Sequence, residues 1–250
     1  ITSWDPAPDG EVRTVLPHGG AMFLGGYFDQ IGGQTRYGIA KVNAISGVAQ
    51  SWDAQGAYNT TIEALAVYAG RVYVGGEFSE LGGQPRGRLA ELDPTTGSAG
   101  PWDPGCGQTL RTLTVQDSTV YVGGDFGNIG GVFQSSAGAV PIGSNVATDW
   151  SIDPAIVDPW YGVSALAVTD DRVYVGGSFE SLGDSARHYF APVDKEQGSV
   201  LPFSWNADYM VYALATTSDR LYVGGAFRRI NSSPRNSFAV LARRDCAGDI

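Results

Sequence analysis

The chain contains few of the residues on which catalytic and metal sites most often depend. Its 250 residues include two cysteines and two histidines, and only two of its 16 basic residues are lysines. Two cysteines are too few to define a disulfide framework. His18 and His188 stand at repeat positions that predict opposite rims of the fold. This placement argues against both a multi-histidine metal site and a Ser-His-Asp triad.

The sequence also lacks long apolar runs and any helical pattern. No run approaches the length of a bilayer-spanning helix, and no signal peptide is visible. The net charge of −10 repels phosphate backbones and anionic lipid. We therefore expect no nucleic-acid partner and no membrane insertion. Because the chain begins with Ile1 instead of Met, we expect a monomeric domain of a larger protein.

One short phrase, Val-Tyr-Val-Gly-Gly-x-Phe, organises the chain. Its copies and variants span Met22–Phe28, Val72–Phe78, Val120–Phe126, Val173–Phe179 and Leu221–Phe227. The first glycines of the copies stand at positions 25, 75, 123, 176 and 224. A period of about fifty residues, with a hydrophobic run that ends in Gly-Gly, is typical of propeller blades.

Each repeat reads as four short antiparallel strands. Two apolar runs at constant spacing, separated by small or polar residues, indicate a tight hairpin that ends at the repeated glycines. A second turn and a third strand follow. A fourth strand ends at a tryptophan in four repeats: Trp52, Trp102, Trp150 and Trp205.

The two ends of the chain predict how the ring closes. Trp4-Asp5-Pro6 matches Trp102-Asp103-Pro104, whereas the fifth repeat stops after its third strand. Residues 1–6 are therefore expected to supply the missing outer strand of the last blade, which leaves no open edge. The prediction is an all-β fold, one closed five-bladed β-propeller over residues 1–250. Its blades would span residues 7–53, 54–104, 105–152, 153–207 and 208–250, the last completed by strand 1–6.

These elements resemble the bacterial delta-60 repeat β-propeller family, and also the ectodomain repeats of fungal cortical polarity markers. The shared elements are Tyr-Val-Gly-Gly-x-Phe, x-Gly-Gly-x-x-Arg, Leu-Ala and Trp-Asp-Pro, and they cover essentially the whole chain. The resemblance implies a secreted or cell-surface module. It brings no defined activity and no catalytic residues.

Residues that recur at one position of the repeat are assigned to the fold itself. The repeated phenylalanine is predicted to lie in the core between blades. A recurring arginine is expected to pair with an aspartate of a Trp-Asp loop or with nearby carbonyls, and the alternative is a ring for an anionic ligand. The arginines are Arg36, Arg86, Arg187 and Arg235, with Gln134 in the third repeat.

Positions that differ between repeats are better candidates for function. One position of the first strand carries Arg13, Glu63, Arg111, Ser164 and Tyr212. The residue before the repeated phenylalanine falls near the same end of the blade. Together the two positions supply three carboxylates that could serve a glycoside hydrolase in the central funnel: Glu63, Glu77 and Asp125. The alternative is a salt network with Arg13 and Arg111.

The loop after Trp150 is longer than its counterparts. It spans twelve residues, Ser151 to Gly162. Loops on a rigid scaffold commonly carry binding residues, and an aromatic ring beside carboxylates suits a sugar or a protein partner. We therefore predict a ligand-binding surface formed by Asp153, Asp158, Trp160 and Tyr161, together with Arg13 and Tyr212. The alternative is that Trp160 covers the funnel or the fourth blade.

The leading hypothesis is a non-catalytic extracellular propeller that binds a glycan or a protein, or acts as a scaffold. An arabinanase-type glycoside hydrolase and a structural spacer of a larger surface protein are the alternatives. No cofactor or metal site is predicted. Carboxylate-rich loops leave Ca²⁺ open, although no spaced ligand motif is present. Cys106 and Cys246 are expected on opposite faces and unpaired within this chain.

Overall fold

The computed structural model of the protein describes residues 4–158, 162–202 and 205–243. Strands, turns and loops account for this part of the chain. Among the described residues, no helix has the length and apolar character that crossing a membrane requires.

The strands follow the sequence repeat. The first repeat forms β1 (Glu11–His18), β2 (Ala21–Tyr27), β3 (Gln30–Ile31), β4 (Gln34–Thr35) and β5 (Ile39–Asn43). The second forms β6 (Thr61–Tyr68), β7 (Arg71–Glu77), β8 (Glu80–Leu81), β9 (Gln84–Pro85) and β10 (Leu89–Leu92). The third forms β11 (Leu110–Gln116), β12 (Thr119–Gly124), β13 (Asn128–Ile129), β14 (Val132–Phe133) and β15 (Ala137–Pro141).

The last two repeats keep this order, with one addition. The fourth forms β16 (Pro154–Ile156), β17 (Val163–Val168), β18 (Arg172–Gly177), β19 (Phe179–Leu182), β20 (Ser185–Ala186) and β21 (Phe190–Asp194). The fifth forms β22 (Val211–Thr216), β23 (Arg220–Gly225), β24 (Arg229–Ile230), β25 (Ser233–Pro234) and β26 (Phe238–Ala242). The additional strand, β16, lies in the long loop after Trp150 and pairs with β19.

Each repeat builds one antiparallel three-stranded sheet, in the orders β1-β2-β5, β6-β7-β10, β11-β12-β15, β17-β18-β21 and β22-β23-β26. The repeated phrase forms the middle strand. In the second repeat, Val72, Tyr73 and Val74 are all buried, because neighbouring sheets cover both faces of this strand. The continuous apolar run of the phrase is thus explained by two-sided burial.

The fourth strand of each blade is shorter than predicted. In the first, second and fourth repeats, the segment that leads to the tryptophan is joined to its sheet by a single isolated bridge: Val42↔Ala49, Leu92↔Ala99 and Val193↔Val200. An arginine holds the carbonyls of this segment: Arg36 donates to the carbonyl oxygens of Gln50 at 3.2 Å and Trp52 at 3.1 Å. Side-chain donors therefore take part of the role of a fourth strand ladder.

Consecutive repeats pack face to face around the repeated aromatic residues. The ring of Trp52 meets Phe23 of its own repeat edge to face, at 5.1 Å between centroids, and its Nε1 donates to the carbonyl of Asp93 in the next repeat at 3.0 Å. Trp102 and Trp150 make the same two kinds of contact, one with an aromatic ring of their own repeat and one with a backbone carbonyl of the next. The repeated phenylalanines are buried as predicted: Phe28, Phe78, Phe126, Phe179 and Phe227.

The seam between the fifth and first repeats differs from the four internal seams. At Gly176, an added Cβ would lie 2.6 Å from Val211 of the next repeat, whereas at Gly224 it would meet nothing closer than Ala213 of its own repeat at 3.6 Å. Trp4 donates to the carbonyl of Asn43 at 3.2 Å and so lies on the first repeat. The described residues leave the face of the fifth repeat uncovered. Residues 1–3, on which the predicted closure also depends, lie outside them.

Candidate ligand-binding face around the central channel

A β-bulge recurs at the same place in the first strand of the five sheets whose middle strand is formed by the repeated phrase. In the first repeat, Val12 pairs with Gly26 and Thr14 with Gly25, so Arg13 is the extra residue. The other repeats show the same shift in register. A bulge bends the strand and re-aims the extra side chain. The extra residues are those that vary between repeats: Arg13, Glu63, Arg111, Ser164 and Tyr212.

These five bulge residues line one central cavity of about 370 Å³. Residues from the first strands of all five repeats form its wall. At one mouth the cavity adjoins a second one of about 510 Å³, which Arg13, Glu63 and Arg111 also line. We call this second cavity the channel mouth.

Three ion pairs hold the charged bulge residues in place. Arg13 contacts Glu63, which has only 14% of its side chain exposed, and it also binds Glu11 at 2.9 Å. Burial disfavours the charged form of Arg13, but hydrogen bonds and the charges of Glu11 and Glu63 outweigh this effect and raise its pKa. Arg111 lies 2.6 Å from Asp125. The salt network considered as one alternative is therefore present.

Glu77 and Arg88 form the wall between the channel mouth and a groove on the second repeat. Both residues line both cavities, and the groove has a volume of about 490 Å³. The Glu77 carboxylate has no hydrogen-bond or ion-pair partner among the described residues, whereas Arg88 donates to the carbonyl of Cys106 at 3.4 Å. Tyr58, which is 66% exposed, lies at the outer end of this groove.

A corresponding groove lies on the third repeat and has a volume of about 470 Å³. It shares Gln108 and Asp125 with the channel mouth. Asp125 also accepts a hydrogen bond from the backbone N–H of Gly162, at the end of the long loop, at 3.1 Å. The channel mouth and the two grooves therefore form one continuous depression, which we call the channel-mouth face.

The structure separates the remaining residues of the predicted ligand surface. Asp153 lies in an outer cavity beside Gly183 and accepts a hydrogen bond from its N–H at 2.9 Å. The N–H of Asp158 donates to Ser178 Oγ at 3.1 Å. Tyr212 lines the central channel. Trp160 and Tyr161 lie outside the described residues.

Other predicted groups have structural partners. Arg36 lies 3.5 Å from Asp53 and Arg86 lies 3.6 Å from Asp103, so these two recurring arginines pair with aspartates of the Trp-Asp loops. Arg187 and Arg235 donate to nearby carbonyls, those of Leu201 at 3.1 Å and Pro234 at 2.7 Å. Cys106 is buried and unpaired, while Cys246 lies outside the described residues. Within the described residues, no group of three or more His, Cys, Asp or Glu side chains could hold a metal ion.

Arg88 and Phe133 are among the residues of the channel-mouth face that were not predicted. Arg88 stands where the first repeat has Gly38, and Phe133 stands where other repeats have Thr35, Pro85 or Ala186. Arg88 departs from the pattern just before the third strand, and Phe133 departs from the pattern of the short hairpin. A comparison of the repeats position by position would have singled out both residues.

The comparisons with known proteins agree on the fold. Residues 70–99, which cover the middle of the second repeat, match the model of a family described as a β-propeller domain of unknown function (DUF5122). The β-propeller domain of Swd1 from Myceliophteria thermophila is similar over 89% of this chain and 67% of that one, with 10% identity and a TM-score of 0.57. No curated protein matches this chain in sequence.

Two further solved structures are similar in part. The computationally designed Ika8 protein matches over 88% of this chain with 16% identity and a TM-score of 0.56. The extracellular domain of a hybrid two-component system from B. thetaiotaomicron matches over 98% of it with 12% identity and a TM-score of 0.58. The present chain spans 57% and 29% of the length of these two proteins. Together the matches identify a β-propeller repeat protein.

Proposed function

We propose that this chain is a non-catalytic binding propeller, secreted or displayed at a cell surface, whose channel-mouth face takes a glycan or a protein. The observation that carries the proposal is the placement of every bulge residue on one channel. The repeat requires the bulge, but it leaves the identity of the bulge residue open. Variable side chains that converge on one cavity of a rigid scaffold are typical of binding sites.

The ion pairs favour binding over hydrolysis. A glycoside hydrolase needs two carboxyl groups that face the scissile bond, one to donate a proton and one to attack or to activate water. Here the carboxylates of Glu63 and Asp125 are already engaged by Arg13 and Arg111. Glu77 has no such partner, and one free carboxylate does not make the required pair.

We also propose that the chain closes into a five-bladed ring. The residues on the two sides of the open seam occupy repeat positions whose equivalents contact each other elsewhere in the fold. Trp52 lies on Phe23 and Asp53 on Arg36 within one repeat unit, and by the same spacing Trp4 would lie on Tyr222 and Asp5 on Arg235. Both aromatic rings are partly exposed and both charged residues are exposed. Closure would bury the rings, as it does at the internal seams.

An extracellular location fits one of the structural matches. The B. thetaiotaomicron structure that matches 98% of this chain is described as an extracellular domain. The resemblance of the repeats to cell-surface propellers implies the same location.

The function is tested by binding on two panels: a glycan array, with and without EDTA, and a set of purified extracellular proteins. The face variant carries Glu77→Arg and Gln108→Arg, at the two walls between the cavities. The control carries Glu80→Arg and Gln84→Arg, which change the charge equally at exposed positions of the second repeat outside these cavities.

We expect the parent to bind at least one ligand, the face variant to lose it and the control to keep it. If the parent binds nothing on either panel, the proposal is wrong. The alternative that then remains is a structural spacer of a larger surface protein. Hydrolysis of a polysaccharide that is lost in Glu63→Gln or Glu77→Gln would overturn its non-catalytic part. Inhibition by EDTA would add Ca²⁺ as a ligand of the binding site.

A further inference from the structure

The groove on the third repeat differs chemically from the rest of the channel-mouth face. Its one charged wall residue is Asp125, which Arg111 neutralises at 2.6 Å. The other polar walls are neutral amides and hydroxyls: Gln108, Asn128, Ser135 and Ser136. The second-repeat groove, by contrast, contains Glu77, Arg86, Arg88 and Asp103.

Ser136 contributes a hydroxyl to the wall of this groove. The residue is 5% exposed and lines the groove, and its hydroxyl forms no hydrogen bond among the described residues. Its backbone has φ +63, and its counterpart in the first repeat is Gly38, with φ +70. The backbone position therefore does not require a hydroxyl. The Ser136 hydroxyl oxygen keeps surface that is accessible from the groove, so it can form a hydrogen bond with a ligand bound there.

Phe133 adds an exposed aromatic ring at the rim of the same groove. It is 85% exposed at the end of β14. Next to it lies Gly127, where an added Cβ would be 3.9 Å from the Phe133 ring. The corresponding position carries Asp29, Ser79, Glu180 or Arg228 in the other repeats. In the third repeat, the exposed ring of Phe133 therefore lies beside a glycine, the smallest residue. One face of the groove is open to a flat ligand.

We propose that this groove is a subsite for a neutral sugar residue. A pyranose ring presents an apolar C–H face that stacks on an aromatic ring, and its hydroxyls are both donors and acceptors. Amides and hydroxyls can satisfy these groups without a charge. The volume of about 470 Å³ lies in the range of small-molecule sites and suits one or two sugar units. A protein partner would instead need a flatter and larger surface.

The proposal rests on the function proposed above and narrows it to one ligand class and one groove. The test uses an array of neutral and acidic glycans, followed by titration of the strongest neutral ligand. The variants are Phe133→Thr, which installs the residue of the first repeat, and Ser136→Ala. The matched control is Ile45→Thr, which removes an apolar side chain that is 89% exposed in the first repeat and lines none of these cavities.

We expect Phe133→Thr and Ser136→Ala each to weaken binding of the neutral glycan about tenfold or more, and Ile45→Thr to leave it unchanged. The melting temperature of Phe133→Thr should equal that of the parent, since the ring is exposed. Acidic glycans should bind more weakly than neutral ones, because the face carries the Glu77 carboxylate and the chain as a whole has a net charge of −10.

Two outcomes overturn the inference. If the array gives no neutral ligand, this subsite is wrong, while the proposed function is still decided by the protein panel. If a neutral glycan binds equally to the parent and Phe133→Thr but is lost in the variant with Glu77→Arg and Gln108→Arg, the function stands and the groove assignment is wrong.

Discussion

At the scale of single residues, the channel-mouth face is built from positions where one repeat departs from the others. Arg88 replaces a residue that is Gly38 in the first repeat, and Phe133 replaces small residues. Neither change is needed for burial: Phe133 is 85% exposed, and Arg88 is partly exposed. A side chain that the fold does not require is free to serve binding. Cys106, in contrast, belongs to the core between the second and third repeats.

The first prediction concerns the pH dependence of stability through Cys106. Burial raises the pKa of its thiol from 9.0 to about 11. Between these values the folded thiol stays protonated while the unfolded one ionises, so the folded state binds more protons. The free energy of unfolding should therefore fall as the pH rises from about 9 to about 11, by up to about 2–3 kcal/mol.

Urea unfolding at about pH 8 and about pH 11 measures this effect. The comparison is between a Cys246→Ser parent and the same protein with Cys106→Ala. The alkaline loss of stability should be smaller in the Cys106→Ala protein. Tyr73, whose pKa is raised to about 12, is present in both proteins, so both share a remaining loss of stability at alkaline pH. Equal losses in the two proteins would contradict the assignment.

At the scale of elements, the tight hairpins between the first and second strands set the register of each sheet. In the second repeat, Ala69 has φ +48 and Gly70 has φ +75. Both values are positive, as in the type I′ turns that match the twist of paired strands. The turn places Tyr68 opposite Arg71, and this register carries Glu63 to its bulge position on the channel. The hairpin therefore positions the candidate site as well as the sheet.

The second prediction follows from the unfavourable residue in this turn. Alanine in the left-handed region costs about 1 kcal/mol, whereas asparagine adopts it more readily. Ala69→Asn should therefore raise the free energy of unfolding by about 0.5–1 kcal/mol and the melting temperature by about 2–4 °C. Gly70→Ala is a control with the opposite expected effect. It should lower the free energy of unfolding and the melting temperature because of the positive φ of this position, although the added Cβ would meet no atom within 4 Å. A decrease in stability in Ala69→Asn would contradict the turn assignment.

At the scale of the whole molecule, the decisive feature is the seam between the last and first repeats. Each internal seam fills the space beside the first glycine of a repeat with an apolar residue of the next one, as Val211 does beside Gly176. By the repeat, Val12 would take this place beside Gly224. Val12 is partly exposed, whereas its counterparts Ile62, Leu110, Val163 and Val211 are fully buried.

The third prediction uses this pair of glycines to test ring closure. Gly176→Ala places a Cβ 2.6 Å from Val211 and should destabilise the protein by about 1–3 kcal/mol. If the ring closes as proposed, Gly224→Ala should cost a similar amount, because its Cβ would then meet Val12. Thermal unfolding of the two variants gives the answer. A Gly224→Ala protein as stable as the parent would show that the seam is open.

Deletion of residues 1–6 is the fourth prediction and acts on the same seam. A closed ring would lose the contacts of Trp4 and expose a strand edge, so we expect a large fall in melting temperature or aggregation. Size-exclusion chromatography and thermal unfolding measure both effects. A truncated protein that melts within about 2 °C of the parent, a shift of less than about 1 kcal/mol, would contradict closure.

The sequence by itself determined the repeat, the strand order and the core. Burial on both faces requires an apolar middle strand, and close packing of the next repeat requires the glycines that follow it, so both leave a pattern that can be read directly. The buried phenylalanines and the pairing of Arg36 and Arg86 with aspartates were predicted for the same reason. Each of these contacts recurs at constant spacing along the chain.

Only the tertiary structure decided which variable residues meet. The bulge that turns Arg13 and its counterparts into the channel is a backbone irregularity without a residue pattern of its own, because five different side chains occupy it. The reduction of the fourth strand to single bridges depends on arginine donors that reach across a turn. The groove on the third repeat is formed by Gln108, Phe133 and Ser136 of that repeat together with Ile156 and Gly162 of the fourth. It is complete only once the two neighbouring sheets are packed, because no local spacing relates the residues of one repeat to those of the next.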